Sequence, residues 1–307
     1  MLLTDLQSEY LLTLEILGRA EGTIYNHKYA TKLFIEFMEN SYQIYQLELV
    51  KPVHLKQLIL YWKNEKEWAH RTVNKMFGLI KVMFNYAVEE EYISEQDNPV
   101  RNIKKLKEVK TIIISFNDDE VKKILDSCSG TTYSNIRDKL ILMMLFDLGI
   151  RVSELTNLTA KNVKESHILI KGKGDKERFL YISPILKRQI MKFNNAKKLR
   201  FSHKKQYELE EYFFLNQCGQ QLSRSRINKI LNENAKKAGI REEIRVSPHT
   251  CRHYFAHAQL RNGIDVYSLS RLMGHYDTSI TSDYLRGLQD DTVLEKGIQS
   301  SPLSNLI

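Results

Sequence analysis

Asn135-Ile-Arg-Asp-Lys-Leu-Ile-Leu-Met-Met-Leu-Phe-Asp-Leu-Gly-Ile-Arg-Val-Ser-Glu-Leu155 contains the longest apolar run of the chain, Leu140 to Phe146, and breaks at Gly149. An apolar helix ended by glycine is the centre of a packed domain, and this one is read from Asn135 to Leu148. The residues just beyond the glycine change character: Arg151 follows Leu148-Gly149-Ile150, and Glu154 stands behind it. A charged pair placed where a core helix stops is either an ordinary helix-end surface or the edge of a site.

On the C-terminal side, His167 to Lys171 and Arg178 to Ile182 read as two strands joined by Gly172-Lys-Gly-Asp-Lys-Glu177, a turn rich in residues that tolerate positive φ. Lys173 sits in that turn, and the flanking Gly172 and Gly174 suit a simple two-strand turn as well as a close approach to a ligand. Further on, Pro248 opens a helix on which His249 and Arg252, three apart, share one face. A helix from Val266 ends at Gly274, ahead of His275, and Tyr284 follows nine residues later.

On the N-terminal side, Asn117 or Asp118 can cap a helix through Leu125. Asn98-Pro-Val-Arg-Asn-Ile-Lys-Lys-Leu-Lys-Glu-Val-Lys110 is basic with little apolar periodicity and reads as a linker that could follow a DNA backbone. Before it, Leu3 to Leu17, a stretch from Thr23 through Ala30, Leu33, Phe34, Phe37 and Met38, Leu55 to Trp62, and Thr72 to Ala87 carry helical spacing. Residues 1–95 are therefore expected to form a bundle of about four helices. Tyr25, Lys28, Tyr29 and Lys32 fit a DNA-facing side and fit a plain solvated helix face equally well.

At 307 residues, with 42% hydrophobic and 27% charged residues, the chain suits two folded domains. Its charge is uneven. Residues 1–100 carry 10 Lys/Arg and 14 Asp/Glu, the remainder 36 and 23, giving −4 and +13. A basic second part favours a polyanion through counterion release, although a solvated basic surface has the same composition.

No apolar run is long enough to span a bilayer, and Met1 to Tyr10 lacks the pattern of a secretory signal, so a cytoplasmic location is expected. Cys128, Cys218 and Cys251 are odd in number and widely spaced, so neither a disulfide framework nor a zinc site is indicated. His249, His253 and His257 recur at one-turn spacing, but no Glu lies between a pair, and packing on their helix is the plainer reading.

Taken in order, Leu148-Gly-Ile-Arg-Val-Ser-Glu-Leu155, Lys171-Gly-Lys-Gly-Asp-Lys-Glu-Arg178, Ser247-Pro-His-Thr-Cys-Arg-His253, Leu272-Met-Gly-His275 and Tyr284 resemble the tyrosine recombinase, or phage integrase, family in an Xer-like two-domain form. The resemblance implies a mainly α fold with a small β-hairpin: a four-helix SAM-like core-binding domain over 1–97, a basic linker over 98–112, and a catalytic domain over 113–307. It implies a site-specific DNA recombinase in which Tyr284 is the nucleophile of a 3′-phosphotyrosine intermediate. Arg151 and Arg252 bind the phosphate, Lys173 is the general acid, His249 and His275 donate hydrogen bonds to phosphate, and His249 is also a candidate to accept the tyrosine proton.

Neither cofactor, metal nor ATP is implied. The implied partners are double-stranded DNA core sites and three further copies of the chain, a dimer on each site, with room for a related recombinase or an accessory protein. The tail from Gly287 to Ile307 carries Leu288, Val293, Leu294 and Ile298, and in the family such a segment docks on a neighbouring protomer. Cys251, where a larger apolar residue is common, and Asp283, beside Tyr284, depart from typical members. The absence of an arm-binding N-terminal domain points to integration and excision of a mobile element or to Xer-like dimer resolution. An inactive DNA-binding relative, a type IB topoisomerase and a telomere resolvase are the competing readings.

Overall fold

The computed structural model describes residues 1–108, 114–171, 177–204 and 209–274, which fall into two compact units, Met1–Lys110 and Thr111–Ile307. Among its described residues the first unit contains four α-helices: α1 (Leu3–Ile16), α2 (Glu21–Tyr42), α3 (Pro52–Asn64) and α4 (His70–Glu89). Pro52 occupies the first turn of α3, where its fixed φ suits a helix and its missing N–H costs no bond. Helix α2 ends on Gln43 in the left-handed region. Helix α2 packs on α1 and α4, and Tyr10, Phe34, Trp62 and Phe84 are buried at the centre of the bundle.

The start of the basic stretch after Asn98 packs on the first unit. Val100 and Ile103, spaced three apart, are buried in the first core. The Asn74 side chain on α4 holds Leu106 from both sides, donating to its carbonyl at 2.9 Å and accepting from its N–H at 2.9 Å. Lys81 donates to the Ile103 carbonyl at 3.1 Å. Two apolar side chains and the buried Asn74 amide thus dock this segment on the first unit as far as Leu106.

The second unit contains α5 (Asp118–Ser127), α6 (Tyr133–Asp147), α7 (Val152–Thr156), β1 (His167–Lys171), β2 (Glu177–Tyr181), α8 (Pro184–Arg200), α9 (Arg224–Lys237), α10 (Pro248–Arg261) and α11 (Val266–Met273). From Leu140 to Phe146 helix α6 is apolar on every side, as a segment covered all round must be. Helices α5, α8, α9 and α10 pack against it, and Leu140, Ile141, Leu142, Met144 and Leu145 are fully buried. Burial of one such side chain contributes about 1.5–3 kcal/mol. Asn117 caps α5, accepting from the Glu120 N–H at 2.8 Å while Glu120 accepts from the Asn117 N–H at 2.9 Å.

Strands β1 and β2 pair antiparallel, His167 opposite Tyr181 and Lys171 opposite Glu177. The hairpin is thus the small β element of a mainly helical chain, with β2 starting one residue earlier than its sequence pattern suggests. Among the described residues no helix is long and apolar enough to cross a membrane.

Candidate active site

The site begins where α6 stops. Gly149 adopts φ +55°, and a Cβ there would stand 2.4 Å from the Phe255 ring of α10, so only glycine allows both the turn and the packing. Two residues later Arg151 is the N-cap of α7. Glu154, one turn on, accepts from the Arg151 N–H and from its guanidinium, each at 2.9 Å.

Glu154 is also gripped from β2. Arg178 donates through both terminal nitrogens to the two Glu154 oxygens, 2.8 Å each, in the parallel fork that a guanidinium and a carboxylate form best. The side chains of Arg178 and Glu154 are 12% and 8% exposed, whereas that of Arg151 is 40% exposed. Burial alone would raise the Glu154 carboxyl, but hydrogen bonds and charge from Arg178 and Arg151 more than offset it and hold its pKa at about 2. At neutral pH an ionised carboxylate therefore sits between two cations.

Arg252 comes from α10, whose first turn is capped by Ser247, with Pro248 at the start of the helix. Its side chain is buried, and it donates to the Gly149 carbonyl at 2.6 Å and to the Met273 carbonyl. The arginine one turn from the end of α6 and the arginine on α10 are thereby tied to the same corner.

That corner is the end of α11. The helix is capped at its start by Asp265 and ends at Gly274, φ +63°, as its sequence suggests. The last carbonyls of a helix have no partner within it and carry the negative end of its dipole. Here three in succession each accept from a different guanidinium: Leu272 from Arg178 Nε at 3.1 Å, Met273 from Arg252, and Gly274 from Arg151 at 3.2 Å.

On α10, His249 and His253 meet through their Nε2 atoms at 3.1 Å. Burial, and then the charges of His249, His257 and Arg252, lower the His253 pKa to about 4, so it is neutral at pH 7. Beside Arg151, a cleft of about 1920 Å³ is bordered by Lys161, Lys164, Arg178 and Arg271. Among the described residues no group of His, Cys, Asp or Glu is placed to hold a metal ion.

Of the six residues expected to carry chemistry, Arg151, His249 and Arg252 are thus located. The two arginines converge on one helix end, and His249 lies one turn before Arg252. Lys173, His275 and Tyr284, with the hairpin turn and the tail, lie outside the described residues. Arg178 was legible only as part of a motif, and its ties to Glu154 and Leu272 emerge from the fold.

Residues 115–290 match the model of the phage integrase family, and residues 3–106 that of the phage integrase SAM-like domain. The chain belongs to the phage integrase family. It is 28% identical over 271 residues to the tyrosine recombinase XerC of Leptospira interrogans, covering 87% of this chain and 83% of that one. It is 32% identical over 215 residues to XerC of Thermodesulfovibrio yellowstonii, covering 69% and 70%. In fold it is similar to the XerH recombinase bound to a palindromic difH substrate in a post-cleavage complex: TM-score 0.73 at 19% identity, with 91% of this chain and 80% of that one covered.

As a member of the phage integrase family the chain is a site-specific DNA recombinase of the tyrosine type, with a SAM-like N-terminal domain and a C-terminal integrase domain.

Proposed function

We propose that the chain exchanges DNA strands through a 3′-phosphotyrosine intermediate formed by Tyr284. The observation that carries the reading is the convergence of Arg151 and Arg252 on the end of α11, from which the chain runs directly into His275 and, nine residues on, Tyr284. Guanidiniums remain charged at any working pH and suit two phosphate oxygens at once.

Tyr284 Oη attacks the scissile phosphorus in line, and the bond from phosphorus to the 5′ oxygen breaks. The tyrosine proton passes to His249, and Lys173 protonates the departing 5′ oxygen, which leaves as a hydroxyl. Arg151 and Arg252, with His249 and His275 as further donors, stabilise the charge that builds on the nonbridging oxygens. Religation reverses the sequence, with a 5′ hydroxyl attacking the phosphotyrosine. The ester's energy is kept throughout.

DNA is the partner of both units. The first unit grips the core site, and the +13 balance beyond residue 100 follows the phosphates. Two copies act on each site and four in a synapse, in the cytoplasm, and the tail from Gly287 docks between protomers. Exchange of this kind serves integration and excision of a mobile element or resolution of DNA dimers.

Nicked suicide duplexes drawn from the DNA flanking the gene test the chemistry. A covalent protein–DNA adduct with wild type and none with Tyr284→Phe is the expected result. An adduct that persists in Tyr284→Phe refutes the nucleophile, and one that fails to form with wild type on any flanking site favours a non-catalytic DNA-binding role.

A further inference from the structure

We infer that Arg178 is a positioning residue for strand cleavage, locking the root of the hairpin that carries Lys173 onto the arginine corner; this rests on Lys173 acting as the general acid. Arg178 is the second residue of β2, five positions after Lys173. Its guanidinium spends three donors on two separate segments: two on the Glu154 carboxylate at 2.8 Å and one on the Leu272 carbonyl at 3.1 Å. Its aliphatic stem lies against Gly274, where a Cβ would come within 2.9 Å of Arg178 Cδ.

The consequence is mechanical. Glu154 also holds Arg151, so one carboxylate couples the hairpin to the phosphate-binding arginine. The Leu272 bond couples the same strand to the helix that leads into His275. A two-stranded hairpin has little stability of its own. Arg178 ties β2 to two other segments near the strand's start, and a lysine cannot replace it, because a point ammonium cannot span two carboxylate oxygens and a carbonyl in fixed geometry.

A leaving group that needs no proton separates this role from a general structural one. Single-turnover cleavage is measured on an ordinary suicide duplex and on the same duplex with a 5′-bridging phosphorothiolate at the scissile position, whose thiolate departs without an acid. Arg178→Lys is expected to slow cleavage of the ordinary duplex about 10–100-fold, the scale on which small misplacements act, and to cleave the phosphorothiolate within about threefold of wild type. Gel-shift affinity and melting temperature are checked alongside, and Arg178→Gln serves as a second variant should Arg178→Lys fail to fold.

If both variants lose as much activity on the phosphorothiolate as on the ordinary duplex, or lose none on either, the inference is overturned. Lys173→Ala is the reference. Should it also fail to be rescued, the reading of Lys173 as the acid falls; rescue of Lys173→Ala without rescue at Arg178 overturns only the positioning role.

Discussion

Replacing Gly149 with alanine tests the corner that joins α6 to the site. The backbone there has φ +55°, a conformation that costs an L-residue about 1–2 kcal/mol. The added methyl would stand 2.4 Å from Phe255 Cδ1 and 2.8 Å from Cγ, well inside van der Waals contact, and overpacking of a buried ring costs about 1–3 kcal/mol more. Together these give a loss of about 2–5 kcal/mol.

Tryptophan fluorescence is blind to this change, since both tryptophans, Trp62 and Trp68, lie in the first unit. Far-UV circular dichroism in guanidinium is the suitable probe. Phe255→Leu in the Gly149→Ala background frees space at the clash but not at the backbone, so the double variant should recover part of the loss, a coupling of about 1–3 kcal/mol. A single variant within about 0.5 kcal/mol of wild type, or strict additivity in the double, refutes the reasoning. Because Arg252 donates to the Gly149 carbonyl, cleavage should fall even in protein that remains folded.

Two further outcomes follow from the geometry. The Glu154 pKa is depressed on folding from 4.5 to about 2, so its contribution, about 3 kcal/mol, is fully present above pH 4.5 and is lost as pH falls toward 2; Glu154→Gln should lower the midpoint at pH 7 and flatten the pH dependence of unfolding between pH 5 and 2, and an unchanged acid slope would count against the clamp. Ile103→Ala should destabilise the first unit by about 2 kcal/mol, read by tryptophan fluorescence, whereas a true linker would leave the midpoint unmoved.

Periodicity made most of the helical architecture legible, and the exceptions have physical causes. Helix α6 starts at Tyr133 rather than Asn135, because Thr132 caps it by accepting from the Asn135 N–H, while Thr131-Thr132-Tyr133-Ser134 has the composition of a turn. Lysine and arginine dominate the stretch after Asn98 and mask Val100 and Ile103, which dock it.

At the site, the spacing of His249 and Arg252 placed them on one helix, and glycine marked the ends of α6 and α11. The contacts of Arg178 could not be read in advance. Its carboxylate partner lies 24 residues back, and its other partner is a main-chain carbonyl, which leaves no trace in residue type.

Three arginines from separate parts of the chain end on consecutive main-chain carbonyls, those of Leu272, Met273 and Gly274, where α11 stops. Main-chain acceptors are the same whatever side chain they bear, so substitutions at Leu272 or Met273 leave the anchor points in place. Spacing is another matter. Each residue added to a helix rotates the chain beyond it by about 100° and advances it about 1.5 Å. Between Asp265 and Gly274 this family member is therefore tolerant of spelling and intolerant of length: one inserted or deleted residue would misdirect all three guanidiniums together, with the chain that leads to His275.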